Sequence, residues 1–179
     1  MEAIASSRLS QVAEKFHLLP DIQMGFRKER STETSLFLLS SQVEQVWKEG
    51  MVASLLSLDI SGAYDRVIPT CLQYALQRKG IPTWFISWII SFSSGRSTTL
   101  VFDDSESPLL PIHCGVLQGS PLSPILFLFY ISELHESIHT PQKGVTAGGF
   151  ADDTNILSFS YSLKSNLLKL KKTHSKCLN

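Results

Sequence analysis

The stretch Gly148 to Leu157, GGFADDTNIL, constrains this chain more than any other. Apolar and small residues run from Val145 to Phe150, two adjacent acids follow at Asp152 and Asp153, and apolar residues resume from Ile156 to Phe159. Flanks of that kind read as two strands, and the acids as the tight turn between them, because Asp tolerates turn geometry. Two carboxylates at the end of a buried sheet repel each other and lose hydration. A divalent cation is the most economical compensation. A second pair, Asp103 and Asp104, lies among Ser105, Glu106, Ser107 and Pro108. Those neighbours predict a solvated hairpin tip and no chemistry.

A third acid makes the first pair informative. Asp59 ends the run MVASLLSLDI, which reads as a buried strand. Carboxylates from two strand ends can meet if the strands are neighbours in one sheet. Such a trio is a hard-oxygen site suited to Mg²⁺ or Mn²⁺. Sites of this kind carry out phosphoryl or nucleotidyl transfer with two metals about 3.5–4 Å apart.

Around these acids the sequence predicts mixed elements. Helices are expected over Glu2–Phe16, over Thr32–Lys48 with Ser31 as its cap, after Pro69 and Pro82, and over Ser123–Ile138. A last helix, Ser162–Leu178, is expected to bury Leu163, Leu167, Leu170 and His174 on one face. STTLVFD and PLLPIHC read as the arms of a hairpin with DSES at its tip. Helices and antiparallel hairpins without βαβ alternation predict an α+β architecture.

Sixteen basic and sixteen acidic side chains give zero net charge, which argues against a free-standing nucleic-acid binder. The distribution is uneven: from Thr140 onward six lysines face only Asp152 and Asp153. The longest apolar run, Ile125–Ile131, is too short to span a bilayer, and no secretory signal opens the chain. Cys71, Cys114 and Cys177 lack zinc spacing and suggest a reducing compartment, so an intracellular location, nuclear or cytoplasmic, is expected.

Three segments, in order, resemble a known family. SLDISGAYDRV, GVLQGSPLSPILFLFYIS and GFADDTNIL resemble the palm motifs A, B and C of reverse transcriptases, most closely the non-LTR (LINE-type) retrotransposon enzymes of filamentous fungi. HLLPDIQMGFRKERSTETSL and RKGIPTWFISWIISFSSGRSTTL have the look of the same group. The resemblance implies a palm-like antiparallel sheet packed by helices, with partial fingers in about residues 1–50, palm over about 51–179 and no thumb. It implies RNA-directed DNA polymerisation with an RNA template, a DNA primer and dNTP as partners, no membrane, and two Mg²⁺ or Mn²⁺ ions as cofactors. Missing finger and thumb segments would belong to a parent polyprotein. A catalytically inactive, truncated transposon relic is the alternative.

Residue by residue, the resemblance makes Asp59, Asp152 and Asp153 the catalytic metal ligands, with Ile60 offering its backbone carbonyl. Tyr64 becomes a steric gate against the ribose hydroxyl, with Gly62 and Ala63 presenting N–H groups to the triphosphate. Gln118 and Gly119 would position the nucleotide, and Ser120 the template, which Arg27, Lys28 and Arg30 would follow along its phosphates. Leu117 stands where the family has Pro, which loosens that loop.

One rival motif is present. His135, Glu136 and His139 spell H-E-x-x-H near the end of a predicted helix, the pattern of a zinc hydrolase. A zinc site also needs a third ligand. No Glu follows Glu136, and His174 is the only later His.

Overall fold

Three antiparallel strands form the platform that carries the acids. The computed structural model describes residues 1–103 and 105–177, so Asp104 of the second acid pair and Leu178 of the expected last helix lie outside the described residues. In chain order the elements are α1 (Glu2–Lys15), α2 (Thr32–Lys48), β1 (Val52–Leu58), α3 (Pro69–Arg78), α4 (Thr83–Ser93), β2 (Arg96–Thr98), β3 (Val101–Phe102), β4 (Ser105–Glu106), β5 (Leu110–Ile112), α5 (Ser123–Ile138), β6 (Val145–Phe150), β7 (Asp153–Ser160) and α6 (Leu163–Cys177). The main sheet has the order β1-β7-β6. This is the α+β architecture expected, an antiparallel sheet packed by helices.

Local chemistry sets several boundaries. Ser31 is extended and its hydroxyl accepts from the Thr34 N–H at 3.1 Å, which starts α2 where expected. Pro69 occupies the first turn of α3, where its missing N–H costs nothing. The main core is helical: Leu72 and Leu76 of α3, Ile86 and Ile89 of α4, and Leu126 to Phe129 of α5 pack together. A smaller core lies under the sheet, where Ile138, Val145, Ala147, Ile156 and Leu170 meet.

Three expectations need correction. β1 is not a buried strand: Val52 and Leu55, on opposite faces, are both exposed, because β1 is an edge of the sheet. The predicted hairpin forms as two nested ladders, β2 with β5 and β3 with β4, but its tip is tighter than DSES, since Ser105 and Glu106 belong to β4. α6 buries Asn166, Leu170 and Thr173, whereas Leu163 and Leu167 are exposed. The polar Asn166 sets that rotation: its amide donates to the Val52 carbonyl at 2.7 Å and to Ser54 Oγ at 3.2 Å, tying α6 to β1. Among the described residues no helix is long and apolar enough to cross a membrane.

Candidate active site

The register of the sheet places the three acids at neighbouring strand ends. Gly149 pairs with Thr154 and Phe150 with Asp153, which leaves Ala151 and Asp152 as a two-residue turn. Ala151 has φ 55°, a left-handed conformation that a residue with a Cβ enters at a cost of about 1–3 kcal/mol. On the other side of β7, Leu58 pairs with Thr154, so the next position along that register sets Asp59 across from Asp153. Asp59 and Asp153 are exposed, and both line an open cavity of about 390 Å³ with Ser57, Phe150, Asn155 and the first turns of α2. Asp152 is half-buried, and its charge reaches the Tyr64 phenol. The acid of Tyr64 is weakened first by burial and then by that carboxylate. None of the ion pairs among the described residues involves Asp59, Asp152 or Asp153. The side chains are not drawn into a closed cluster: among the described residues no three His, Cys, Asp or Glu groups are placed to hold a metal.

Tyr64 sits on the loop after β1, where Gly62 takes φ 64° and its carbonyl accepts from the N–H groups of Asp65 and Arg66. The Tyr64 ring rests on Phe127 with centroids 5.3 Å apart. Ala63 and Ile60 face the helical core, and Gly62 is exposed. The loop before α5 is laced to this segment. Gly115 N–H donates to the Val67 carbonyl at 2.7 Å and Val116 N–H to the Tyr64 carbonyl at 2.8 Å. Gly115, at φ 87°, lies so close that a Cβ there would stand 3.0 Å from Asp65 Cα. Gln118 Nε2 donates to both carboxylate oxygens of Asp65, at 3.1 and 3.2 Å. Gly119 lies beside open space. Ser120 is engaged within the protein: its hydroxyl donates to Glu2 at 2.7 Å and accepts from the Leu122 N–H at 3.1 Å.

The basic segment divides. Arg27, expected on the template, is buried and forms a two-pronged pair with Glu14 at 2.7 and 2.8 Å. It also donates to the carbonyls of Pro20 and Gln23. The hydrogen bond from Arg27 is the leading cause that holds the Glu14 carboxyl below its ordinary pKa. With four of its five N–H donors engaged and its side chain 2% exposed, this guanidinium holds the turn together and is shielded from phosphate. Arg30 likewise turns its Nη atoms onto Asp21, Gln23 and the Met24 sulfur. Only Lys28 of the three projects into solvent, beside Glu29.

Residues missed by sequence reasoning lie directly behind the turn. Ile22 to Met24 cover the free edge of β6, with Met24 N–H on the Gly149 carbonyl at 2.7 Å and Gly149 N–H on the Ile22 carbonyl at 2.9 Å. A Cβ on Gly25 would overlap the Ala151 backbone. From beneath, the His135 ring fills the space a Gly149 side chain would need, and its Nε2 is 3.0 Å from Thr154 Oγ1. Paired glycines inside a strand were the available signal, because they mark close approach of other atoms.

That placement also removes the zinc reading. His135 is fully buried, and burial pushes its pKa down to about 4. Glu136 is paired with Lys79. His139 Nδ1 accepts from the Ala147 N–H at 3.2 Å. The three side chains serve three different contacts.

Comparison with known proteins agrees with this geometry. Residues 1–179 match the family described as reverse transcriptase (RNA-dependent DNA polymerase). The chain is 30% identical over 168 residues to the RNA-directed DNA polymerase from mobile element jockey of Drosophila melanogaster, covering 91% of this chain and 18% of that protein. It is 31% identical over 166 residues to the Pol polyprotein from type-1 retrotransposable element R2 of Popillia japonica, covering 88% of this chain and 23% of the relative. Among solved structures, telomerase from Candida albicans superposes with a TM-score of 0.65 at 12% identity, covering 97% of this chain and 31% of that one. Apo telomerase from Candida tropicalis gives 0.62 at 12% identity, covering 96% and 35%. The fold is thus shared with telomerase, and the sequence with the polymerases of mobile elements. The chain belongs to the reverse transcriptase family, and the relatives it resembles in sequence are polymerases and a Pol polyprotein of retrotransposable elements.

Proposed function

We propose that this chain carries the polymerising centre of a retrotransposon reverse transcriptase, which adds deoxynucleotides from dNTPs to a DNA primer on an RNA template. One observation carries the reading. The sheet register sets Asp59 across from Asp153 with Asp152 next to it in the β6–β7 turn, and none of the three has a cationic partner among the described residues. Residues 1–50 would serve as fingers-like helices and residues 51–179 as the palm.

The donor set fits the metals of this chemistry, since carboxylates and a backbone carbonyl suit hard divalent ions. Asp59, Asp152 and the Ile60 carbonyl would hold two Mg²⁺ or Mn²⁺ ions, with Asp153 less directly involved. When bound, such ions acidify the primer 3′-hydroxyl and neutralise the triphosphate. The remaining work falls to the chain itself. Tyr64, held on Phe127 and facing Asp152, excludes a ribose 2′-hydroxyl by clash. Gly62, exposed at the loop crest, leaves room for the triphosphate beside the Ala63 N–H. Gln118 and Gly119 border the nucleotide from the loop before α5. Lys28 is the cation of the basic segment left to meet template phosphate.

Primer extension tests this. The full chain should extend a labelled DNA primer on an RNA template in Mg²⁺ or Mn²⁺, and Asp152→Ala should reduce extension to background. Extension that survives Asp152→Ala would overturn the assignment of the site.

A further inference from the structure

We propose that Asp65 is a positioning residue for sugar selection. Its carboxylate, held by Gln118, fixes the backbone that presents Tyr64 and so sets how closely that ring approaches the nucleotide's 2′ carbon. This rests on Tyr64 acting as the gate.

The contacts around Tyr64 differ in what they constrain. Phe127 supports the ring at a centroid distance of 5.3 Å and a tilt of 32°. An apolar ring contact of that kind resists compression and permits sliding. Position along the sliding direction must therefore come from the backbone. The Tyr64 carbonyl is fixed by the Val116 N–H at 2.8 Å, and the Val67 carbonyl by the Gly115 N–H at 2.7 Å. Between those anchors lies Asp65, with Gly115 packed against its Cα and carbonyl. Its side chain accepts from Gln118 Nε2 at 3.1 and 3.2 Å. A charged acceptor strengthens that contact and gives it direction. The segment from Tyr64 to Val67 is thereby tied at three points to residues 115–118. The same bond turns the Gln118 carbonyl away from Asp65, because its amide nitrogen is already committed. Gate and nucleotide-side amide are thus set by one contact.

The test measures the ratio of dNTP to rNTP incorporation by the full chain in primer extension on an RNA template. Asp65→Ala and Gln118→Ala should each lower that ratio by roughly tenfold. The exchanged pair, Asp65→Asn with Gln118→Glu, restores an amide–carboxylate contact with donor and acceptor reversed, and should return the ratio towards wild type. A purely structural role would lower both rates together and leave the ratio unchanged, which would overturn the proposal. Tyr64→Ala separates the two levels. If it relaxes the ratio and Asp65→Ala does not, the positioning role is wrong and the gate stands. If Tyr64→Ala changes nothing, the gate reading itself is wrong. For a chain that binds and does not extend, the same ratio is read as dATP against ATP affinity with Mg²⁺ and primer–template. Equal affinities in wild type would contradict both.

Discussion

His135 has its Nε2 on the Thr154 hydroxyl and its Nδ1 buried without a partner. A charged ring in that position would lose its hydration with no acid beside it, which is why burial lowers its pKa from 6.5 to about 4. The folded pKa lies below the unfolded one, so between those values the unfolded chain binds the extra proton. The contribution to stability is complete above about pH 6.5 and is lost as pH falls towards about 4, by the order of 3 kcal/mol. Urea unfolding at pH 7 and pH 5 should show a larger loss for wild type than for His135→Leu, the difference cancelling the carboxylates common to both. Equal losses would contradict the account. Arg27 teaches the complementary lesson. Its sequence neighbours, Lys28 and Arg30, made it look like part of a basic surface, and nothing local revealed the partner Glu14 thirteen residues away. The position of Asp59 and Asp152 at neighbouring strand ends was legible because acids that interrupt apolar runs are costly, and that cost is visible in one dimension.

At the scale of elements, the hairpin β6–β7 is held from two sides. Residues 22–25 close on its edge and turn, and His135 closes from below. Gly149 is the point where both meet. Gly149→Ala would drive a methyl into the His135 ring, and overpacking of that kind costs about 1–3 kcal/mol. Thermal unfolding should show a clearly lowered Tm for Gly149→Ala, with primer extension impaired beyond what the loss of folded protein explains. For contrast, Gly148→Ala meets nothing within 4 Å and should be nearly silent in Tm. Unchanged stability in Gly149→Ala would show that the ring does not seal the strand. Element boundaries followed the sequence where a cap or proline fixed them, as at Ser31 and Pro69. The buried face of α6 did not, since a polar anchor, Asn166, outweighed the leucine pattern. The expected hairpin of residues 97–114 did form, as two nested ladders joined where Leu100 and Ser107 bond across, and only its tip was misjudged, because Ser105 and Glu106 pair back onto Val101 and Phe102.

The molecule as a whole is a helical core with a three-stranded platform on which the acids stand. Its zero net charge conceals a carboxylate-bearing strand end and a lysine-rich α6. The chain spans about a fifth of the length of the relatives it matches, 18% and 23%. The central claim concerns what the platform gathers, namely divalent cations at Asp59 and Asp152. Free side chains near adjacent strand ends can close on a cation without moving the sheet, so binding should be local and should leave the fold unchanged. Mn²⁺ titration followed by electron paramagnetic resonance, with primer–template and a non-hydrolysable dNTP analogue present, tests this most directly. Wild type should take up two Mn²⁺ ions per chain, and Asp59→Asn and Asp152→Asn should each lose at least one while keeping the wild-type circular dichroism. Two ions retained in both variants would contradict the assignment.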